Sequence, residues 1–185
     1  MLIHKYMQLL TNSDTLHMTQ KLLKMSLKEY REFKDHNNAL LLHSFVCYND
    51  ENYNNLSKII IDRNFDLNHQ DKLGYTALHA AISNQNEPVI KMLLDANVNV
   101  NTVNINSYTP LMSAVQFQLP DVVKLLIDKG VDTTVKNKNG NIALELIFHD
   151  NINEKSLKCS ELLFHNSGLK PLNKLESGWT QMGMD

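Results

Sequence analysis

The chain has 185 residues, of which 43 % are hydrophobic and 21 % charged, and a formal net charge of −2. That is enough length for one packed domain, and it is too apolar and too nearly neutral for a disordered chain. Basic and acidic residues are mixed, eight of each in the first 70 positions, so no basic arm or patch is offered to nucleic acid.

The chain opens Met1-Leu-Ile-His-Lys5-Tyr6, with no long apolar run and no small-residue cleavage site. No stretch of 18 apolar residues follows anywhere, so no membrane span is expected. Residues 1–73 contain neither Gly nor Pro. Leu2, Ile3, Tyr6, Met7, Leu9 and Leu10 recur at helical spacing, and Leu16, Leu22, Leu23 and Met25 form a second stripe. Ser26 with Glu29 fits a capping box for a third helix carrying Leu27, Tyr30 and Phe33. Residues 1–34 are therefore expected to be short helices covering one end of the structure behind them.

Residues 35–70 contain phrases that return further on. Leu42-His43 returns as Leu78-His79, Lys58-Ile-Ile-Ile-Asp62 as Lys91-Met-Leu-Leu-Asp95, and Phe65-Asp-Leu-Asn68 as Val98-Asn-Val-Asn101. Leu42 to Lys58 is 16 residues against 13 for Leu78 to Lys91, and the extra three are expected in the polar turn Tyr48–Tyr53. From Asp71 the repetition is strict. Asp71-Lys-Leu-Gly-Tyr-Thr-Ala-Leu-His79 is followed 33 residues later by Asn104-Ile-Asn-Ser-Tyr-Thr-Pro-Leu-Met112, and Lys91–Asp95 by Lys124-Leu-Leu-Ile-Asp128. Gly74 supplies the positive φ of a tight turn. Pro88 and Pro120 open helices, where a missing N–H is harmless, and Gly130 and Asn97 stand where a left-handed residue ends them. Val89, Ile90, Leu93 and Leu94 form one inward face, and Val122, Val123, Leu125 and Leu126 the next.

A fixed period of 33 with a turn followed by a Thr-Pro-Leu-His phrase resembles the ankyrin-repeat family. The resemblance implies an all-α ankyrin-repeat solenoid of helix-turn-helix units with β-turn fingers and, here, a helical N-terminal cap. It divides the chain into a cap (1–34), a degenerate repeat (35–70), two clear repeats (71–103 and 104–136) and a distorted repeat with an inserted loop (137–174). Residues 175–185 form a partial finger or tail. It also implies that Thr76 caps its helix and that His79 bonds back toward it. In the distorted repeat Asn137-Lys-Asn-Gly140 is a good finger tip, but Ile142-Ala-Leu144 replaces Thr-Pro-Leu, and about four residues are inserted before Leu162-Leu163. Gly178-Trp-Thr-Gln-Met182 repeats the finger phrase once more.

No catalytic constellation is legible. There is no phosphate loop, no G-x-S-x-G and no H-E-x-x-H. Cys47 and Cys159 are isolated and read as small hydrophobes in a reducing compartment, which points to the cytoplasm. His36 and His43 lie seven apart and neither cysteine sits in a metal-ligand spacing, so no metal and no cofactor is expected.

The resemblance implies a concave binding surface made of finger tips and first-helix ends. Its positions fall on Lys72, Leu73 and Tyr75; on Ile105, Asn106 and Tyr108; and on Lys138, Asn139 and Asn141. The helix-end positions are Asn84, then Gln116 and Phe117, then His149, and Trp179 joins the tyrosine column. Large aromatic and apolar groups on a face that is usually polar suggest interface anchors; tyrosines that pack against the next finger are the competing reading. The expected function is non-catalytic binding of another protein, with no nucleic acid and no membrane, by a chain that is monomeric when free. An immunity protein that inhibits a toxin or enzyme is one form of it. A secreted host-directed effector or adaptor, a self-associating structural subunit and a cryptic enzyme stay open.

Overall fold

The computed structural model describes residues 41–62, 66–149 and 152–167. The expected cap at 1–34, His36, Trp179 and the segment 175–185 lie outside the described residues. Within them there are seven α-helices, one 3-10 helix and no strand. The helices are α1 (Leu41–Val46), α2 (Glu51–Asp62), α3 (Ala77–Ser83), α4 (Glu87–Asp95), α5 (Pro110–Gln116), α6 (Pro120–Asp128) and α7 (Glu154–Ser167), with the 3-10 helix at Glu145–His149.

They pair into four units: α1 with α2, α3 with α4, α5 with α6, and the 3-10 helix with α7. The first helices touch in a row, α1 to α3 to α5 to the 3-10 helix, and the second helices form a parallel row from α2 to α7. This all-α solenoid buries one continuous core between its rows, filled by Phe45, Leu56, Ile82, Ile90, Leu111 and Leu126 among others. In α4 the inward face is Val89, Ile90, Leu93 and Leu94, all buried, while Lys91 and Glu87 form an exposed i,i+4 pair at 3.8 Å. In α6 Val122, Val123 and Leu126 are buried, and Leu125 is half-buried at the edge of that face.

Caps set the helix starts. Thr76 and His79 form a reciprocal capping box at α3, and Thr109 Oγ1 accepts Met112 N–H at 3.2 Å at α5. In the fourth unit Ile142 stands where the capping threonine should be and has no hydroxyl. Glu145 alone reaches back, its Oε2 accepting Ile142 N–H at 2.8 Å, and the first helix shrinks to a 3-10 turn. Asn153 and Ser156 then start α7 with reciprocal bonds of 3.1 Å and 2.8 Å.

The three extra residues of the first unit lie in its second helix rather than in its turn. Helix α2 has 12 residues where α4 and α6 have nine, so Glu51, Asn52 and Tyr53 are its first turn. Asp50 makes this possible: its Oδ1 accepts Asn52 N–H at 2.9 Å, and its carbonyl accepts Asn54 N–H at 2.9 Å.

Candidate functional site

Three fingers project between the units, and each is tied by its first side chain. Asp71 Oδ1 accepts the N–H groups of Leu73 and Tyr75 at 2.9 Å and 2.8 Å. Asn104 Oδ1 does the same for Asn106 and Tyr108, and Asn137 Oδ1 for Asn139 and Asn141. The backbone turns at Gly74, Ser107 and Gly140, with φ of +77°, +57° and +84°. Neighbouring fingers are joined by Ile105 N–H to the Leu73 carbonyl at 3.0 Å and by Lys138 N–H to the Asn106 carbonyl at 3.1 Å. Gly74 is required twice over, by its φ and because a Cβ there would lie 2.8 Å from Asn104 Cα.

Behind the fingers runs a row of imidazole bonds. His79 Nδ1 accepts Thr76 N–H at 3.2 Å, so its Nε2 carries the proton and donates to the Tyr108 carbonyl at 3.2 Å. His79 is fully buried, and burial pushes its pKa down to about 4, so the ring is neutral. His43 Nε2 reaches the Tyr75 carbonyl at 3.0 Å in the same way. His43 is thus the structural histidine of the first unit; the Leu42-His43 echo was the signal for it. Met112 occupies the matching place in the third unit and cannot make the bond.

The expected binding positions are distributed as follows. Lys72, Leu73, Asn84, Ile105, Asn106, Gln116, Phe117, Lys138 and Asn139 are exposed, while Tyr75, Tyr108 and Asn141 are half-buried. Leu73 is 52 % exposed, Ile105 50 % and Phe117 39 %. The Tyr75 ring meets His79 edge-on at 5.7 Å, and Tyr108 packs against the core cluster, so both tyrosines give part of their surface to the fold. Asn84 ends α3, its Nδ2 donating to the Ala80 carbonyl at 2.8 Å. The side chain of His149 is outside the described residues. The structure adds a feature that one-dimensional reading missed: a cleft of about 270 Å³ between the second and third fingers, lined by Asn106, Tyr108, Asn137, Lys138 and Asn139.

A family model described as ankyrin repeats (3 copies) matches residues 9–104 and, shifted by one period, residues 42–137. The chain belongs to the ankyrin-repeat family. A search of curated proteins gave no match. Ankyrin repeats typically mediate binding to another protein, and the family is generally non-catalytic. Burial raises the Cys159 thiol to about 11 and keeps it protonated. Among the described residues no group of three His, Cys, Asp or Glu side chains is placed to hold a metal ion. No helix among them is long and apolar enough to cross a membrane.

Proposed function

We propose that this ankyrin chain is a non-catalytic module that binds a partner protein across its finger tips and first-helix ends. The observation that carries the reading is the pair Leu73 and Ile105. Both are half exposed, on adjacent fingers locked together by the Ile105 N–H to Leu73 carbonyl bond. Two large aliphatic groups held rigidly in water gain free energy when a partner covers them, at little cost in conformational entropy. Phe117 extends the apolar surface at the end of α5, and Lys72, Asn106, Gln116 and Asn139 supply a polar rim. The finer form of the reading is an inhibitor, such as an immunity protein, that acts in the cytoplasm by occupying a toxin or enzyme.

The test uses tagged full chain to capture partners from its native source, alongside a Leu73→Ser, Ile105→Ser double variant with an unchanged thermal transition. A partner held by the wild type and lost by the variant supports the finger face; a Leu157→Ser variant, on α7 in the second-helix row, should hold it. Equal capture by wild type and double variant overturns the reading. For the inhibitor form, the captured partner's own activity should fall in an equimolar mixture.

A further inference from the structure

The two clefts between fingers have the same backbone and opposite chemistry. Between the first and second fingers the paired positions are Leu73 and Ile105, and Gln70 bridges the gap, donating to the Gly74 and Val103 carbonyls at 2.8 Å each. One period on, those positions are Asn106 and Lys138, and Val103 stands in the place of Gln70. The second gap therefore has no side-chain bridge from that position, and it opens into the cleft of about 270 Å³.

Asn137 lines that cleft and is 5 % exposed. Its Oδ1 is committed to the finger, through the N–H groups of Asn139 and Asn141. Its Nδ2 is buried without a hydrogen-bond partner. A buried amide donor left unpaired carries its full desolvation penalty, and an acceptor delivered from outside removes it. Lys138 lines the same cleft and forms no ion pair among the described residues. Tyr108, Asn106 and Asn139, residues that carry side-chain donors, complete the lining. One cation beside neutral donors suits a singly charged acceptor; a phosphate dianion calls for a cluster of cations.

We propose that the cleft between the second and third fingers receives the carboxylate of an Asp or Glu side chain of the partner protein. Lys138 supplies the charge and Asn137 Nδ2 the buried donor. This rests on the protein-binding reading above and adds the chemistry of one contact to it.

The test is a titration of isotope-labelled full chain followed by amide NMR. The probes are N-acetylglutamate N-methylamide and its neutral isostere, N-acetylglutamine N-methylamide. The glutamate probe is expected to give saturable shifts at the side-chain NH2 of Asn137 and at the backbone N–H of Lys138 and Asn139, with the glutamine probe roughly tenfold weaker. Lys138→Met and Asn137→Asp should each abolish the response. Asp71 holds the first finger by the same two bonds, so the Asn137→Asp finger is expected to keep its shape. Absence of saturable shifts up to about 100 mM probe, equal shifts with both probes, or shifts that survive both substitutions would overturn the proposal. Tighter binding of N-acetylglycine, a chain-terminal carboxylate, would overturn the side-chain source. None of these outcomes depends on the Leu73 and Ile105 capture experiment, so the two readings fail separately.

Discussion

Acidification should weaken this protein through one buried ring. His79 is inaccessible to water, with Nδ1 accepting from Thr76 N–H and Nε2 donating to the Tyr108 carbonyl. A second proton would go onto Nδ1, opposite a donor, and would break the return bond of the α3 capping box. Burial is the largest cause of the low pKa and is opposed by the Tyr108 carbonyl and by Asp71, while the neighbouring His43 acts in the same direction as burial. The unfolded chain takes up this proton near pH 6.5 and the folded chain only near 4. Between those values the unfolded state holds more protons, so stability falls as pH falls. The contribution is fully present above pH 6.5 and is gone below about 4.

The gap between the two pKa values corresponds to about 3 kcal/mol. For a chain of this length that lowers the melting temperature by roughly 6–12 °C. Carboxylates lose stability over part of the same range, so the wild type alone does not isolate the ring. His79→Gln does, because a glutamine at this position keeps the back-bond to Thr76 N–H, as Glu145 does for Ile142. The variant should be about 1–2 kcal/mol weaker at pH 7, having lost the bond to Tyr108. Its deficit should shrink through pH 6 and 5 and reverse by pH 4. Urea unfolding of both proteins at each pH reads the difference directly. Parallel stability curves from pH 7 to 4 would refute the reasoning.

The finger turns and the cysteines give two further tests. Ser107 and Gln85 hold φ of +57° and +53°, so replacing either by Gly should raise stability by about 0.5–1 kcal/mol. Gly74→Ala should lower it by about 2 kcal/mol or more, because a Cβ there meets Asn104 Cα as well as adopting the wrong φ; thermal melts of the three variants decide the matter, and a neutral Gly74→Ala would refute the close approach. Cys47 is exposed and Cys159 buried with its thiol held protonated, so iodoacetamide at pH 8 should alkylate Cys47 in the native protein and Cys159 only after unfolding. Peptide mapping that found equal labelling would contradict the burial of Cys159.

Much of the fold was legible because ankyrin phrases are backbone instructions. Thr76, His79 and Gly74 each do in space what their positions dictate, and the period of 33 sets the register of every finger. Two places were not legible. Glu51 and Asn52 look like loop residues because they sit on the exposed side of α2, and polarity does not distinguish a turn from an outward helical face. Ile142 announces a missing cap, but not that the helix behind it shortens to a 3-10 turn. At the candidate face the register is again readable, so Asn106 and Lys138 are known to be neighbours once the repeat is seen. What the sequence hides is direction and satisfaction. It does not say that Tyr75 lays its edge on His79, nor that the Asn137 amide is buried with one end unpaired.

The side-chain bonds between units are unevenly distributed, and this has a consequence for motion. The first and second units are joined by His43 to the Tyr75 carbonyl, by Asn86 to the Tyr48 carbonyl and Asn54, and by Asn68 to Asn99 N–H. The second and third are joined by His79, Gln70 and Asn101. Among the described residues the third and fourth share one side-chain hydrogen bond, Asn153 to Gln118 at 2.6 Å, because Met112 replaces the histidine and Val103 the glutamine; the ion pairs Lys129–Asp95 and Lys158–Asp121 add one weak link to each of the last two interfaces. In a stack stabilised by nearest-neighbour interfaces, the unit with the weakest interface opens first. Amides of α7 should therefore exchange with solvent through a cheaper opening than those of α3 and α4. Met112→His places an imidazole donor at the position that His79 holds one period earlier and should add about 1 kcal/mol, read as roughly fivefold slower exchange in α7 with α3 unchanged. If α7 already exchanges as slowly as α3, or if Met112→His leaves it unchanged, the uneven ladder has no mechanical meaning.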